Sequence, residues 1–366
     1  MSLSLSNRLA AGLSLLLLTG CGSVAPTQLH PLALPSGQYS TAEATGKIGA
    51  WASGKIGAWA SGSTASTLPS GVPNTFTDNL AAWNMVQLSA AQVAAPHLGA
   101  GIKVAVIDTG LDLSHPAFQG HLAPAADQYD FLDNDTSPAE RGSPADLAYG
   151  HGTAIASLVL QVAPKATIMP LRVIAPNGLA TPSVVASAVN WAVQHGATVI
   201  NLSVVSSVDS ALTDALRAAA AKGVYLVMAA GNEGVAPPMY PARSSAQATT
   251  LGQYALSVGS LELSTTKSDF SNYGTQLSLL APGRLMTTAY PGSQFAQATG
   301  TSFAAPVVSG VLALALGEPL STTNRTQLVS RIVGSARDVS AANAAYKVGS
   351  MPFNLISAAN FLNTLR

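Results

Sequence analysis

The chain of 366 residues is long enough for one large domain with a leader ahead of it. Only 9% of it is charged and the net charge is zero, which excludes a basic stripe for nucleic acid and a polybasic patch for membranes. Its one cysteine, Cys21, excludes any intrachain disulfide.

In chain order, Arg8 and the apolar run 9–18 read as an export signal, too short to stay in a bilayer. The run ends in Leu18-Thr19-Gly20-Cys21, similar to the lipobox of bacterial lipoproteins, where the cysteine is lipidated and becomes the new N-terminus. Ordinary secretion with an incidental Cys21 is the alternative. Residues 22–79 are poor in charge and crowded with Ser, Thr, Gly, Ala and Pro, a low-complexity pro-region or linker. Inside it Gly46-Lys47-Ile48-Gly49-Ala50-Trp51-Ala52-Ser53 is followed at once by an identical octapeptide, residues 54–61. Two copies are too few for a solenoid. They read either as duplication in a tolerant linker or as a strand that docks on the domain that follows.

From residue 80 to the C-terminus, apolar strands alternate with helical segments. Strands are expected at 103–108, 167–173, 198–204, 224–230, 255–258 and 276–280. Helices are expected at 182–195 and 210–222 and after Ser302, with a further helix opening at His151. That alternation, in a chain rich in Ala, Ser, Gly and Val, predicts an α/β domain of three layers around a mostly parallel central sheet.

Three segments carry chemistry. Strand 103–107 ends in Asp108-Thr109-Gly110, so Asp108 projects from the carboxyl end of a buried strand, where open α/β sheets place their sites. Gly150-His151-Gly152-Thr153 opens a helix whose small residues allow a close neighbour. Gly300-Thr301-Ser302-Phe303-Ala304-Ala305-Pro306 puts Ser302 at the amino end of a buried helix, with Pro306 expected in or near its first turn. Amides and dipole at such an end favour developing negative charge. The other five histidines have no comparable flanks and read as surface or packing residues.

The order Asp, His, Ser with these flanks resembles the subtilisin-like serine proteases. Further segments share the resemblance: Gly231-Asn232-Glu233-Gly234 after strand 224–230, then 198–205, 268–274, Ala281-Pro282-Gly283 and Tyr240-Pro241-Ala242. It extends from about Trp83 to the C-terminus. It implies an exported serine endopeptidase acting through an acyl-enzyme on protein or peptide substrates. Asp108 would orient His151, and His151 would serve as general base and acid towards Ser302. Asn232 would supply the oxyanion-hole amide. Ser203, Val204, Val205, Ala230 and Gly231 would line the substrate site. The resemblance also suggests a cis peptide before Pro241.

There are departures from the family pattern. Where relatives carry glycines after Asn-x-Ser, this chain has Ser203-Val204-Val205-Ser206, which predicts a narrowed P1 pocket favouring small or medium side chains. Ala154 replaces a second histidine that takes no part in the triad. The loop 119–147 contains Asp127, Asp130, Asp133 and Asp135. Some relatives bind calcium through carboxylates and carbonyls, which makes a calcium site one reading; a solvated surface loop is the preferred one, and no metal or cofactor is assigned. A monomer is expected, touching membrane only through a lipid at Cys21. Two other functions remain open: an esterase of the α/β-hydrolase class, against which the triad order argues, and a catalytically impaired, envelope-anchored binding protein.

Overall fold

The computed structural model describes residues 76–246, 249–349 and 352–366 in full. Ahead of them it describes only the backbone of residue 75 and of short strands at 48–49, 57–59 and 65–66. The export signal and Cys21 lie outside the described residues. All described residues belong to one compact unit, 39–366.

Numbering only the strands of the central sheet and of one hairpin, β1 is Lys103–Asp108, β2 Tyr129–Asp130, β3 Thr167–Arg172 and β4 Val199–Leu202. Then come β5 Tyr225–Ala229, β6 Ala255–Leu261, β7 Leu279–Pro282, β8 Met286–Tyr290, β9 Gln294–Ala298, β10 Arg337–Asp338 and β11 Asn354–Leu355. The sheet runs β10-β11-β7-β6-β5-β4-β1-β3-β2. Every pairing in it is parallel except β10 with β11. The α/β expectation with a mostly parallel sheet therefore holds.

Four long helices cover the sheet: α1 His151–Val162, α2 Pro182–Gln194, α3 Ser210–Ala221 and α4 Thr301–Leu316. Successive side chains of a strand point to opposite faces, and β1 shows the consequence. Val104 and Val106 enter the core shared with α1 and α4, while Ala105 and Ile107 enter the core shared with α2 and α3. A strand buried on both sides must be apolar throughout. Because β3 and β4 flank β1 on opposite sides, the strand order reverses at β1. Such a reversal opens a crevice at the carboxyl ends of the strands, where Asp108 stands.

Most boundaries fall within a residue or two of expectation. The strand expected at 276–280 begins at Leu279 instead, because Gly274 to Ser278 turns, with the Leu277 amide donating to the Gly274 carbonyl. Pro306 is not in the first turn: the helix already begins at Thr301, so the proline lies inside it. The hairpin β8–β9 and the short helices Leu80–Met85 and Leu88–Ala94 were not expected. Pro291-Gly292-Ser293 between two short runs was the available signal for the hairpin.

Both octapeptide copies supply strand backbone. Ile48–Gly49 pairs antiparallel with Leu179–Ala180, and Gly57–Trp59 pairs antiparallel with residues 295–297 on β9. This is the docked-strand arrangement. Among the described residues no helix is long and apolar enough to cross a membrane.

Candidate active site

Asp108 ends β1 and His151 begins α1, 43 residues later, and the two meet. His151 Nδ1 lies 2.7 Å from Asp108 Oδ1, with both side chains 1% exposed or less. A carboxylate oxygen only accepts, so Nδ1 carries the proton and Nε2 is left as the basic nitrogen. Asp108 Oδ1 also accepts the amide of Thr109 at 2.8 Å. This close approach requires Gly152. A Cβ there would stand 2.2 Å from the Gly110 carbonyl and 3.2 Å from the Asp108 Cβ, so any side chain would push α1 off the end of β1.

Ser302 lies in the first turn of α4 and is buried, as are Asp108 and His151. Phe303 sets its ring edge-on to the His151 imidazole at 5.3 Å between centroids. His151 Nε2 and Asp108 Oδ2 are buried and make no hydrogen bond among the described residues. No Ser302–His151 hydrogen bond is made among the described residues; catalytic hydrogen bonds often tighten only when substrate binds.

Asn232 follows β5 and turns towards the start of α4. Its Oδ1 accepts from the Thr301 amide at 2.8 Å and the Thr301 hydroxyl at 2.9 Å. Since the amide oxygen is held on the Thr301 side, the NH₂ edge of this planar group is directed away from it. The Thr301 hydroxyl also accepts the Gly231 amide at 3.1 Å. Gly231 has φ +100°, and a Cβ there would meet Asn272 Nδ2 at 2.5 Å. Asn272 in turn accepts the amides of Glu233 and Val235 and donates to the Ala230 carbonyl. The loop carrying Asn232 is thus held from both sides.

Ser203, expected at the substrate, is 1% exposed and donates its hydroxyl to the Ser302 carbonyl at 3.0 Å. It accepts from Asn201 Nδ2, whose Oδ1 accepts from Ser309 inside α4. Val204, Val205, Ala230 and Gly231 are all buried at the carboxyl ends of β4 and β5. The peptide before Pro241 is cis, as is the one before Pro237.

Sequence reasoning missed Thr109, Thr153, Thr301, Asn272 and Glu140. The Glu140 carboxylate accepts from the Thr109 and Thr153 hydroxyls, each at 3.2 Å. Burial pushes its carboxyl up to about 8, and the Asp108 charge adds to this; the Gly150 amide and the two hydroxyls act in the opposite direction. The position of Thr109, Thr153 and Thr301 one or two residues from Asp108, His151 and Ser302 was the signal for them.

The acidic loop binds the protein's own cations. Asp127 faces Lys103 at 2.8 Å and His195 at 3.0 Å, Arg172 joins Asp130 at 2.7 Å and Asp133 at 3.0 Å, and Asp135 accepts the Ser137 amide. Among the described residues no three acidic, His or Cys side chains converge to hold a metal ion. Calcium takes six or more oxygen ligands, and these carboxylates are each already engaged by protein partners. Of the other histidines, His195 stacks on Trp191 and His115 is buried against Phe118 and Phe295, both packing roles. A cavity of about 120 Å³ beside His115, Phe76 and Phe295 has none of Asp108, His151 and Ser302 in its wall.

The model of the subtilase family of peptidases matches residues 99–350. Thermitase from Thermoactinomyces vulgaris is 36% identical over 62% of this chain and 78% of its own length. Subtilisin Savinase from Lederbergia lenta is 32% identical over 70% of this chain and 92% of its own. Among solved structures, a cold-adapted subtilisin-like serine proteinase superimposes with a TM-score of 0.59 at 31% identity, covering 71% of this chain and 89% of that one. The chain belongs to the subtilase family. It is a serine-type endopeptidase, a hydrolase of protein substrates.

Proposed function

We propose that the chain is exported and cleaves peptide bonds through an acyl-enzyme on Ser302. His151 Nε2 takes the Ser302 hydroxyl proton as Oγ attacks the scissile carbonyl, and later delivers that proton to the leaving amine. Asp108 keeps the imidazole in the Nδ1–H tautomer and stabilises the imidazolium. The oxyanion forms between Asn232 Nδ2 and the Ser302 amide, where the α4 dipole assists. Water activated by His151 then releases the acid product. The observation carrying this reading is the buried 2.7 Å contact of Asp108 with His151, beside an Asn232 carbonyl already engaged by the residue before Ser302.

Val204 and Val205 support a P1 pocket narrowed to small and medium residues, and a peptide-library profile dominated by Phe or Tyr would contradict it. The run ending in Cys21 supports a lipid anchor on the exported protein, which globomycin sensitivity tests. For the chemistry itself, a fluorophosphonate should label Ser302, and casein should be hydrolysed. Ser302→Ala or His151→Ala should lower kcat on the order of 10⁶-fold. A wild-type protein that binds casein but is neither labelled nor active would establish the impaired binding protein instead.

A further inference from the structure

We propose that Glu140 is a positioning residue for the Asp108–His151 pair, a buried carboxyl that ties the turn after Asp108 to the helix start after His151. The inference rests on the catalytic reading above and adds a residue to it.

The two threonines that donate to Glu140 follow Asp108 by one residue and His151 by two. Each does a second job. The Thr109 hydroxyl accepts the Gly152 amide at 2.9 Å, and the Thr153 hydroxyl accepts the Asp112 amide at 3.0 Å. The backbone completes the frame, because the Glu140 amide donates to the Leu111 carbonyl and the Leu111 amide to the Pro138 carbonyl. One carboxyl therefore closes a hydrogen-bonded ring through strand end, loop and helix start. That ring fixes the separation and tilt of the carboxylate and of the imidazole it holds through Nδ1–H. Small displacements matter there, since misplacement of reacting groups by an ångström lowers rates on the order of 10²-fold.

The ring also sets the charge that Glu140 must carry. The ionisable groups facing it are Asp108 on β1, Tyr149 ahead of α1 and Tyr290 in the hairpin, with Asp112 one hydrogen bond away through Thr153. Arg141, next in sequence, turns to Asp133 instead. No cation among the described residues offsets a charge on Glu140, and its Oε1 is buried without a well-formed hydrogen bond. With its proton held to about 8, Glu140 is neutral in the pH range where a catalytic histidine titrates. Asp108 then faces no second ionised carboxylate at Glu140. The sign for stability follows. From 4.5 to about 8 the unfolded chain has released this proton and the folded chain keeps it, so Glu140 makes stability decline as pH rises through that window.

The test compares full-length wild type, Glu140→Gln and Glu140→Ala for peptide hydrolysis and for thermal unfolding between about pH 5 and about 9. Gln can accept from both threonines and carries no charge. It should keep kcat close to wild type and leave the acid limb of kcat/KM unmoved. Its Tm should gain on wild type as pH rises to about 8 and then level off. Ala should lower kcat on the order of 10²-fold with KM little changed. Should Ala not fold, Thr153→Val, which removes one arm of the ring, takes its place in the kcat comparison. Wild-type kcat in Glu140→Ala or in its Thr153→Val substitute, or a Tm difference between Gln and wild type that is flat with pH, overturns the proposal. A wild type that hydrolyses nothing overturns the catalytic reading itself, while the Tm comparison still reports on the buried acid.

Discussion

The hydroxyl of Ser203 donates to the carbonyl of Ser302 at 3.0 Å, and Pro306 is the reason it must. In an α-helix the carbonyl of residue 302 accepts from the amide of residue 306. A proline at that position has no N–H to give. The backbone of Ser302 is thus satisfied from outside its own helix, by a side chain at the end of β4. Ser203 thereby supports the backbone of Ser302.

Ser203→Ala should therefore strand a buried carbonyl and cost about 1–3 kcal/mol of folding stability. Pro306→Ala restores the missing amide, so Ser203→Ala should cost distinctly less in a Pro306→Ala background. Urea unfolding of the four proteins in this cycle measures the coupling. Strict additivity would mean the two residues do not share the Ser302 carbonyl.

Thr301→Val removes the hydroxyl that both holds Asn232 Oδ1 and receives the Gly231 amide. The Thr301 backbone amide still holds Asn232, so the amide group should loosen without leaving. We expect kcat to fall with KM little changed, and by less than in Asn232→Ala, where loss of the donor itself costs on the order of 10²–10³. Equal losses in the two variants would mean the hydroxyl alone orients Asn232.

Gly152→Ala should separate β1 from α1, because the new Cβ has only 2.2 Å to the Gly110 carbonyl. The downfield proton resonance of the buried Asp108–His151 bond should vanish from the NMR spectrum, together with activity. Persistence of that resonance in a folded variant would show that α1 can shift and keep the bond.

The fold was legible because its signals are local. Strands buried on both faces, such as 103–108, are continuous apolar runs, and helices such as 210–222 announce themselves by composition. The positions of Asp108, His151, Ser302 and Asn232 were legible for the same reason, at or just beyond the ends of such elements, while the roles proposed for them came from the family resemblance. What supports them was not. Glu140 sits in an irregular loop, and its two partners are 31 and 13 residues away. Ser203 reaches a carbonyl 99 residues on. A hydroxyl or carboxyl in a loop has no periodicity, so its role appears only when the chain has folded around it. The acidic loop shows the converse: a cluster that suggested calcium by composition is met by Lys103 and Arg172 from the sheet, by Arg141 within the loop, and by a hydrogen bond to His195.

Arg172 carries the last prediction. It faces Asp108 in the β1–β3 register while its guanidinium reaches Asp130, a side chain with no exposure at all. Asp130 Oδ1 also accepts the amides of Leu132 and Asp133, so this carboxylate fixes the loop that leads on to Glu140. Arg172→Met would leave that charge buried and unpaired, at a cost of about 3–5 kcal/mol. Asn at position 130 keeps the acceptor for both amides without the charge, so Asp130→Asn should recover much of the loss in the Arg172→Met background. Urea midpoints of the two variants decide it. No recovery in the double variant would mean that Arg172 stabilises the loop through the packing of its stem, and that the ion pair beside Asp108 adds nothing.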